Sequence, residues 1–115
     1  MSDTIFAKII SGEIETEFVY EDEFCIVIND IAPQAPVHML VIPRKPIEKL
    51  ADASGEDQAL LGHLMLVAAK VAHQLGVDDA FRLIVNNGVG AGQTVFHLHL
   101  HILAGAELAE SRMIG

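Results

Sequence analysis

V-F-H-L-H-L-H-I-L, the run from Val95 to Leu103, sets His97, His99 and His101 in alternation with Leu98, Leu100 and Ile102. Side chains two apart on a strand share a face, so this run predicts a β-strand with three imidazoles on one side and aliphatic groups on the other. Histidine has no strong strand preference, and each buried ring needs hydrogen-bond partners. Three such rings in register therefore point to chemistry rather than to packing.

Two chemistries suit them. One is a metal site, since two neighbouring histidines of the run and a third ligand, His38, could surround a zinc ion at about 2.0–2.1 Å per bond. All three strand histidines could not, because four residues of strand span roughly 13 Å. The other is nucleophilic catalysis at phosphorus, with the middle imidazole attacking while its neighbours orient it and supply protons or hydrogen bonds. The preceding loop, N-N-G-V-G-A-G-Q-T from Asn86 to Thr94, favours the second. Its glycines let backbone N–H groups approach a phosphate closely. No Lys-Ser/Thr pair follows it, and the next element is a strand, so it is neither a Walker loop nor a dinucleotide fingerprint.

Outward from this centre, the chain reads as α+β. Asp3 is placed to cap a short helix carrying Ile5, Phe6, Ile9 and Ile10 on one face and ending at Gly12. Strands are expected at Phe18–Tyr20, Phe24–Ile28, His38–Ile42, Phe81–Val85 and Val95–Leu103, the first two as an antiparallel hairpin and the last two as another. Asp30 to Pro36, with two prolines, is a loop. Ser54 and Asp57 resemble a capping box opening a long helix that runs to about Leu75. Between Ala59 and His73 that helix has one charged residue, Lys70, and an apolar surface wider than one sheet contact needs. A second copy of the chain is the expected cover.

The 115 residues allow one domain, 1–115, with a core over about 3–103 and a tail over 104–115. A net charge of −9 argues against a nucleic-acid polymer as partner but not against one small nucleotide. The lone Cys25 cannot form an internal bridge, no run is apolar enough to span a membrane, and no signal-peptide pattern opens the chain, so a cytoplasmic location is expected.

G-Q-T-V-F-H-L-H-L-H-I-L from Gly92 to Leu103 resembles the motif of the histidine triad (HIT) superfamily. D-T-I-F-A-K-I-I from Asp3, N-D-I-A-P-Q-A-P-V-H-M-L-V-I-P from Asn29 and L-L-G-H-L-M from Leu60 resemble its nucleotide-binding branch, the purine nucleoside phosphoramidases. The resemblance implies a five-stranded antiparallel sheet with two helices, its sheets joined across a homodimer, and hydrolysis of a purine nucleotide substrate without a cofactor or metal. It implies that His99 is the nucleophile, that His97 orients it through its backbone, and that His38 sits beside His97 in a proton-handling pair. His101 and Thr94 would contact the phosphate and leaving group, and Asn86, Gly92 and Gln93 would line the phosphate side. Asp30 would hold the ribose, and Phe6, Ile9, Ile28 and Ile31 would form the slot for the base. His63 and His73 match no role and are expected on the helix surface or at an interface. Thr94 stands where the branch more often has Ser, and Gln-Thr also occurs in the related dinucleoside polyphosphate hydrolases, which are the alternative activity. A nucleotide-binding regulator acting through partners is a further alternative. The tail from Ala106 lacks the tryptophan-containing ending of the animal enzymes.

Overall fold

Thr4, one residue after Asp3, caps the first helix: its side-chain oxygen accepts the Ala7 N–H at 3.1 Å. The structure is a computed structural model describing residues 4–106, so Asp3 and the tail from Glu107 lie outside the described residues. Helix α1 spans Ile5–Ser11, and Gly12 closes it in the left-handed region at φ 86°, where a side chain would be strained. Strands follow at Tyr20–Glu21 (β1), Cys25–Asn29 (β2) and Val37–Pro43 (β3). Helix α2 covers Gln58–Gln74, and Phe81–Ile84 (β4) and Leu100–Ala104 (β5) complete the sheet. Ser54 and Asp57 do form a capping box, but it opens a 3-10 turn over Gly55–Asp57 that leads into α2. A second such turn, Leu50–Asp52, lies where the sequence pattern predicts no element.

All pairings are antiparallel, in the order β1-β2-β3-β5-β4. The expected hairpins β1–β2 and β4–β5 are present, with β5 inserted between β3 and β4. Strand alternation divides the core between two faces. Cys25, Val27, Met39, Val41, Leu100 and Ile102 face α2 and meet Leu64, Val67, Ala68 and Val71. Ile26, Ile28, Leu40 and Ile42 face the other way and meet Phe6 and Ile9 of α1. One sheet face is covered by α2 and part of the other by α1, so the central strands are apolar at most positions. The outer side of α2 is open: Met65 is 54 % and Leu66 71 % exposed.

The expected strand Val95–Leu103 is a correction. Only Leu100–Ala104 joins the ladder, so His101 alone of the three histidines lies in a regular strand. The physical reason lies in its neighbours. β4 reaches only to Ile84, opposite His101, and the last β3–β5 pair is Val41 with Leu100, two residues short of the end of β3 at Pro43. Before Leu100 the segment leaves the ladder although β3 continues beside it, and the Pro43 carbonyl accepts the His97 ring N–H. The Leu98 N–H likewise donates to the carbonyl of Ile47, beyond the proline, at 2.7 Å.

Leu64 has no exposed surface and sits where α2 meets the sheet. Leu64→Ala should therefore cost about 2–5 kcal/mol in urea denaturation, against about 1 kcal/mol for removing the cap with Ser54→Ala. A Leu64→Ala cost below that of the cap would overturn this packing of α2.

Candidate active site

A cavity of about 310 Å³ opens on the α1 side of the sheet. Ile5, Phe6 and Ile9 from α1 form one wall, and Ile28, Asn29, Asp30 and Ile31 from the end of β2 and its loop form another. Leu40, Thr94 and Val95 lie between, and His99 and His101 supply the ring nitrogens. Phe6, Ile9, Ile28, Asp30, Ile31, Thr94, His99 and His101 are expected here from the sequence. Ile5, Asn29, Leu40 and Val95 are not, although Ile5 stands one helical turn from Ile9 and shares its face.

The triad histidines have three different environments. His97 is 1 % exposed and does not line the cavity. Its Nε2–H donates to the Pro43 carbonyl at 2.7 Å, and its buried Nδ1 has no hydrogen-bond partner among the described residues. Burial holds its pKa below the usual value, only partly offset by the Pro43 bond. His99 donates Nδ1–H to the carbonyl of His97 at 2.8 Å. A carbonyl can only accept, so the proton is on Nδ1 and Nε2 keeps its lone pair. Burial lowers the His99 pKa as well, so this neutral form persists near neutrality. The Phe6 ring stands edge-on to His99, 4.9 Å between centroids, and limits how the imidazole can turn.

His101 lies beside His99, with ring centroids 5.0 Å apart. Burial, and then repulsion from His99 and His38, push its pKa down to about 4. Its partner is His38, whose Nε2 lies 2.9 Å from His101 Nδ1. The expectation that His38 stands beside His97 is thereby corrected. In the β3–β5 register His101 faces Leu40 and His38 faces Leu103, which makes His38 and His101 diagonal neighbours on one sheet face. His97 lies before β5 begins, and its ring is bound to Pro43 instead.

Gln93 is a second correction. It is 3 % exposed and its amide is fully engaged inside the loop. Oε1 accepts the Gly88 N–H at 2.7 Å, while Nε2 donates to the carbonyls of Glu48 and Val95 at 2.8 and 3.0 Å. With every polar atom used, its side chain braces the glycine loop rather than facing a phosphate. Asn86 is half-buried and, like Gly92, lies outside the cavity lining. Gly92 takes φ 91°, which frees the turn into Gln93 and Thr94.

Two groups of donors are close enough to be considered as metal sites among the described residues: Asp30, His38 and His101, and Asp22, Cys25 and His63. The zinc set read from sequence, His38 with His97 and His99, is not brought together. In the first group both ring nitrogens of His38 already face protein partners, the Gln34 N–H and His101 Nδ1, each at 2.9 Å. In the second, Asp22 accepts from the backbone N–H of Phe24 and Cys25, the Tyr20 hydroxyl and His63 Nε2–H. Burial would raise the Asp22 pKa, but these bonds outweigh it and hold the carboxyl well below the usual range. The Cys25 thiol is pushed up to about 12 by burial, so it stays protonated. His63, expected on the surface or at an interface, instead ties α2 to the β1–β2 turn. The exposed His73 pairs with Asp78 at 3.2 Å.

The HIT domain family matches residues 11–108 of the chain. An uncharacterised HIT-like protein of Synechocystis is 60 % identical over 103 residues, 90 % of each chain. A HIT family hydrolase from Clostridium thermocellum superimposes with a TM-score of 0.93 at 41 % identity, covering 98 % of this chain and 99 % of the other. A HIT family hydrolase from Legionella pneumophila gives 0.91 at 38 % identity, covering 94 % and 97 %. The chain belongs to the HIT family.

The depressed histidine pKa values carry a sign for stability. His97, His99 and His101 fall below the unfolded value of 6.5, so on acidification the unfolded chain binds protons first. Their contribution to stability is full above pH 6.5 and declines as pH falls from there towards about 4, the value for His101. Calorimetric melting temperatures should be flat from about pH 8 to 7 and fall between pH 6.5 and 4. His101→Gln should make that fall shallower; an equal slope would remove His101 from the account.

Proposed function

We propose that the chain is a nucleotide hydrolase that cleaves the P–N bond of purine nucleoside phosphoramidates through a nucleotidyl-histidine intermediate. The observation that carries this reading is the His99 Nδ1–H bond to the His97 carbonyl, which leaves Nε2 as an unprotonated nucleophile in a ring lining the cavity. Phe6, Ile9, Ile28, Asp30 and Ile31 all line the cavity, which supports an apolar slot for the base with Asp30 as the partner of the ribose hydroxyls. Thr94, which lines the cavity, would meet the phosphate, with Gln93 holding that loop from behind. The triad motif and the two hydrolases of the same fold support the class; the phosphoramidate substrate rests on the branch motifs.

In the first step His99 Nε2 bonds to the α-phosphorus and the P–N bond to the amine breaks, the amine taking up a proton from the solvent-exposed mouth. In the second a water oxygen bonds to phosphorus, the Nε2–P bond breaks, and a proton returns to solvent. His101 and the Thr94 hydroxyl stabilise the charge on the phosphoryl oxygens. His99 regains its Nδ1–H tautomer unchanged.

His99→Ala should abolish turnover of adenosine phosphoramidate, while His97→Ala and His101→Ala lose about 10²–10⁴-fold each and keep residual activity. The wild type should form an acid-labile nucleotidyl adduct that mass spectrometry maps to the His99 peptide, and turnover should persist in EDTA. Near-normal rates in His99→Ala, a label on another residue, or activity lost to chelation and restored by zinc would each sink the mechanism.

The chain is also proposed to act as a homodimer, paired through the outer side of α2 with its sheet continued across the β4 edge. Support comes from the exposed Met65 and Leu66 and from β4 standing at the end of the strand order, with one edge unpaired among the described residues. Leu66→Lys tests it more cleanly than a change at the buried Leu64, because Leu66 is 71 % exposed in the subunit. Light scattering should give twice the 12.4 kDa chain mass for the wild type and the single-chain mass for a folded Leu66→Lys. A wild-type mass of one chain refutes the dimer.

A further inference from the structure

The loop after β2 grips His38 twice. The Asp30 N–H donates to the His38 carbonyl at 2.9 Å, and the Gln34 N–H donates to the His38 ring at Nδ1, also at 2.9 Å. The second bond has chemical content, because a backbone amide can only donate. His38 Nδ1 must therefore carry a lone pair, and the proton of the ring must lie on Nε2. Two groups converge on that nitrogen: His101 Nδ1 at 2.9 Å and the Asp30 carboxylate Oδ2 at 3.4 Å. The carboxylate can only accept, which suits an N–H on His38 Nε2, and His101 Nδ1 can accept the same proton when its own lies on Nε2.

We infer that the Gln34 backbone amide is a positioning group that sets the tautomers of His38 and His101, and so makes His101 a neutral hydrogen-bond donor towards the cavity. With Nε2–H on His38 donating to His101 Nδ1, the remaining proton of His101 must sit on its Nε2. That leaves the two rings lining the cavity with opposite tautomers. His99 has Nδ1–H and a bare Nε2; His101 has a bare Nδ1 and Nε2–H. One is a nucleophile and the other a donor, although both are neutral imidazoles on the same short segment.

The same bond resists protonation of His101. A proton added at His101 Nδ1 would confront His38 Nε2–H, and shifting the His38 proton to Nδ1 would confront the Gln34 N–H. The groups that face the pair are His99 from beside β5, Asp30 from the loop and the Gln34 amide. Only Asp30 favours an added proton, while burial and the two neighbouring rings oppose it at His101. The low pKa of His101, about 4, accords with this arrangement. A neutral donor can stabilise charge that develops on phosphoryl oxygens without a proton first being bound from solution.

The catalytic consequence rests on the nucleotidyl-transfer reading above; the tautomers do not, so they are measured first and without substrate. In the full-length chain labelled with ¹⁵N, long-range ¹H–¹⁵N spectra at neutral pH should show Nε2–H for His38 and His101 and Nδ1–H for His99. Through-hydrogen-bond ¹⁵N–¹⁵N couplings should link the Gln34 amide to His38 Nδ1 and His38 Nε2 to His101 Nδ1. Gln34→Pro removes the amide donor; Gln34→Ala keeps it and removes only the side chain. In Gln34→Pro the titration of His101 should move up from about 4 towards 6.5, whereas Gln34→Ala should keep the wild-type pattern. With adenosine phosphoramidate, Gln34→Pro should lower kcat about tenfold, with KM changed less than about twofold. A proton on Nδ1 of His38 or His101, or the absence of both couplings, overturns the inference. So does a folded Gln34→Pro whose imidazole signals and titration do not move. If Gln34→Pro does not fold, the couplings in the unmodified chain decide. Failure of the chain to turn over any phosphoramidate would defeat the proposed reaction while leaving the tautomer result to stand or fall by itself.

Discussion

A single hydrogen bond, from His99 Nδ1–H to the carbonyl of His97, decides what the cavity can do, and much of the surrounding structure serves to hold that carbonyl in place. The His97 ring is fastened to Pro43 and the Leu98 amide to Ile47, so the backbone on both sides of the carbonyl is anchored to the end of β3 and the turn after it. The arrangement has a cost. His97 Nδ1 is buried without a partner among the described residues, which loses roughly 1–3 kcal/mol relative to a satisfied atom. A residue chosen for packing would not leave that nitrogen stranded. An imidazole that must reach Pro43 with one nitrogen, in a pocket closed against water, has no second donor to meet with the other.

Pro43, at the end of β3, contributes its carbonyl as the acceptor for the His97 ring. Had the β3–β5 ladder continued beyond Val41 and Leu100, the segment before Leu100 would have been drawn into regular strand geometry and the His97 carbonyl into the sheet. Because pairing stops, the chain is free to bend the His97 carbonyl towards the ring two residues on. The sheet supplies rigidity up to His101, and the release from the sheet supplies the local geometry at His99. The glycine loop is stiffened by similar means, with Gln93 committing all of its amide to Gly88, Glu48 and Val95. The site is a rigid sheet edge joined to a braced loop, consistent with groups that must be in position before charge develops.

Two faces of one sheet divide the work. The α2 side is an apolar core with no polar interruption at Leu64, Val67, Ala68 and Val71. The α1 side is thinner: a helix of 7 residues covers only part of the sheet, and the uncovered part is the cavity. The polar residues His38 and His101 sit on that thin side, close enough to solvent to exchange with a ligand and buried enough that their surroundings are set by the protein. Asp22 and His63 perform a different task at the far end, tying α2 to the β1–β2 turn and so fixing the helix against the sheet.

The sequence by itself determined the α+β class, both hairpins, the long helix and the grouping of Phe6, Ile9, Ile28, Asp30, Ile31, Thr94, His99 and His101 around one cavity. Those features follow from residue periodicity and a local motif, which short-range geometry and family resemblance both read. Tertiary structure alone decided where β5 begins, because the segment before Leu100 takes its bonds from the Pro43 and Ile47 carbonyls instead of the ladder, and Pro43 lies 54 residues before His97 in the chain. It likewise decided that His38 pairs with His101 rather than His97, since strand register is set by the whole sheet. The inward turn of Gln93 and the Gln34 amide on His38 were also beyond the sequence. A side chain's choice between bracing a loop and meeting a phosphate depends on which carbonyls lie in reach, and a backbone N–H is present at nearly every position and leaves no mark of its own.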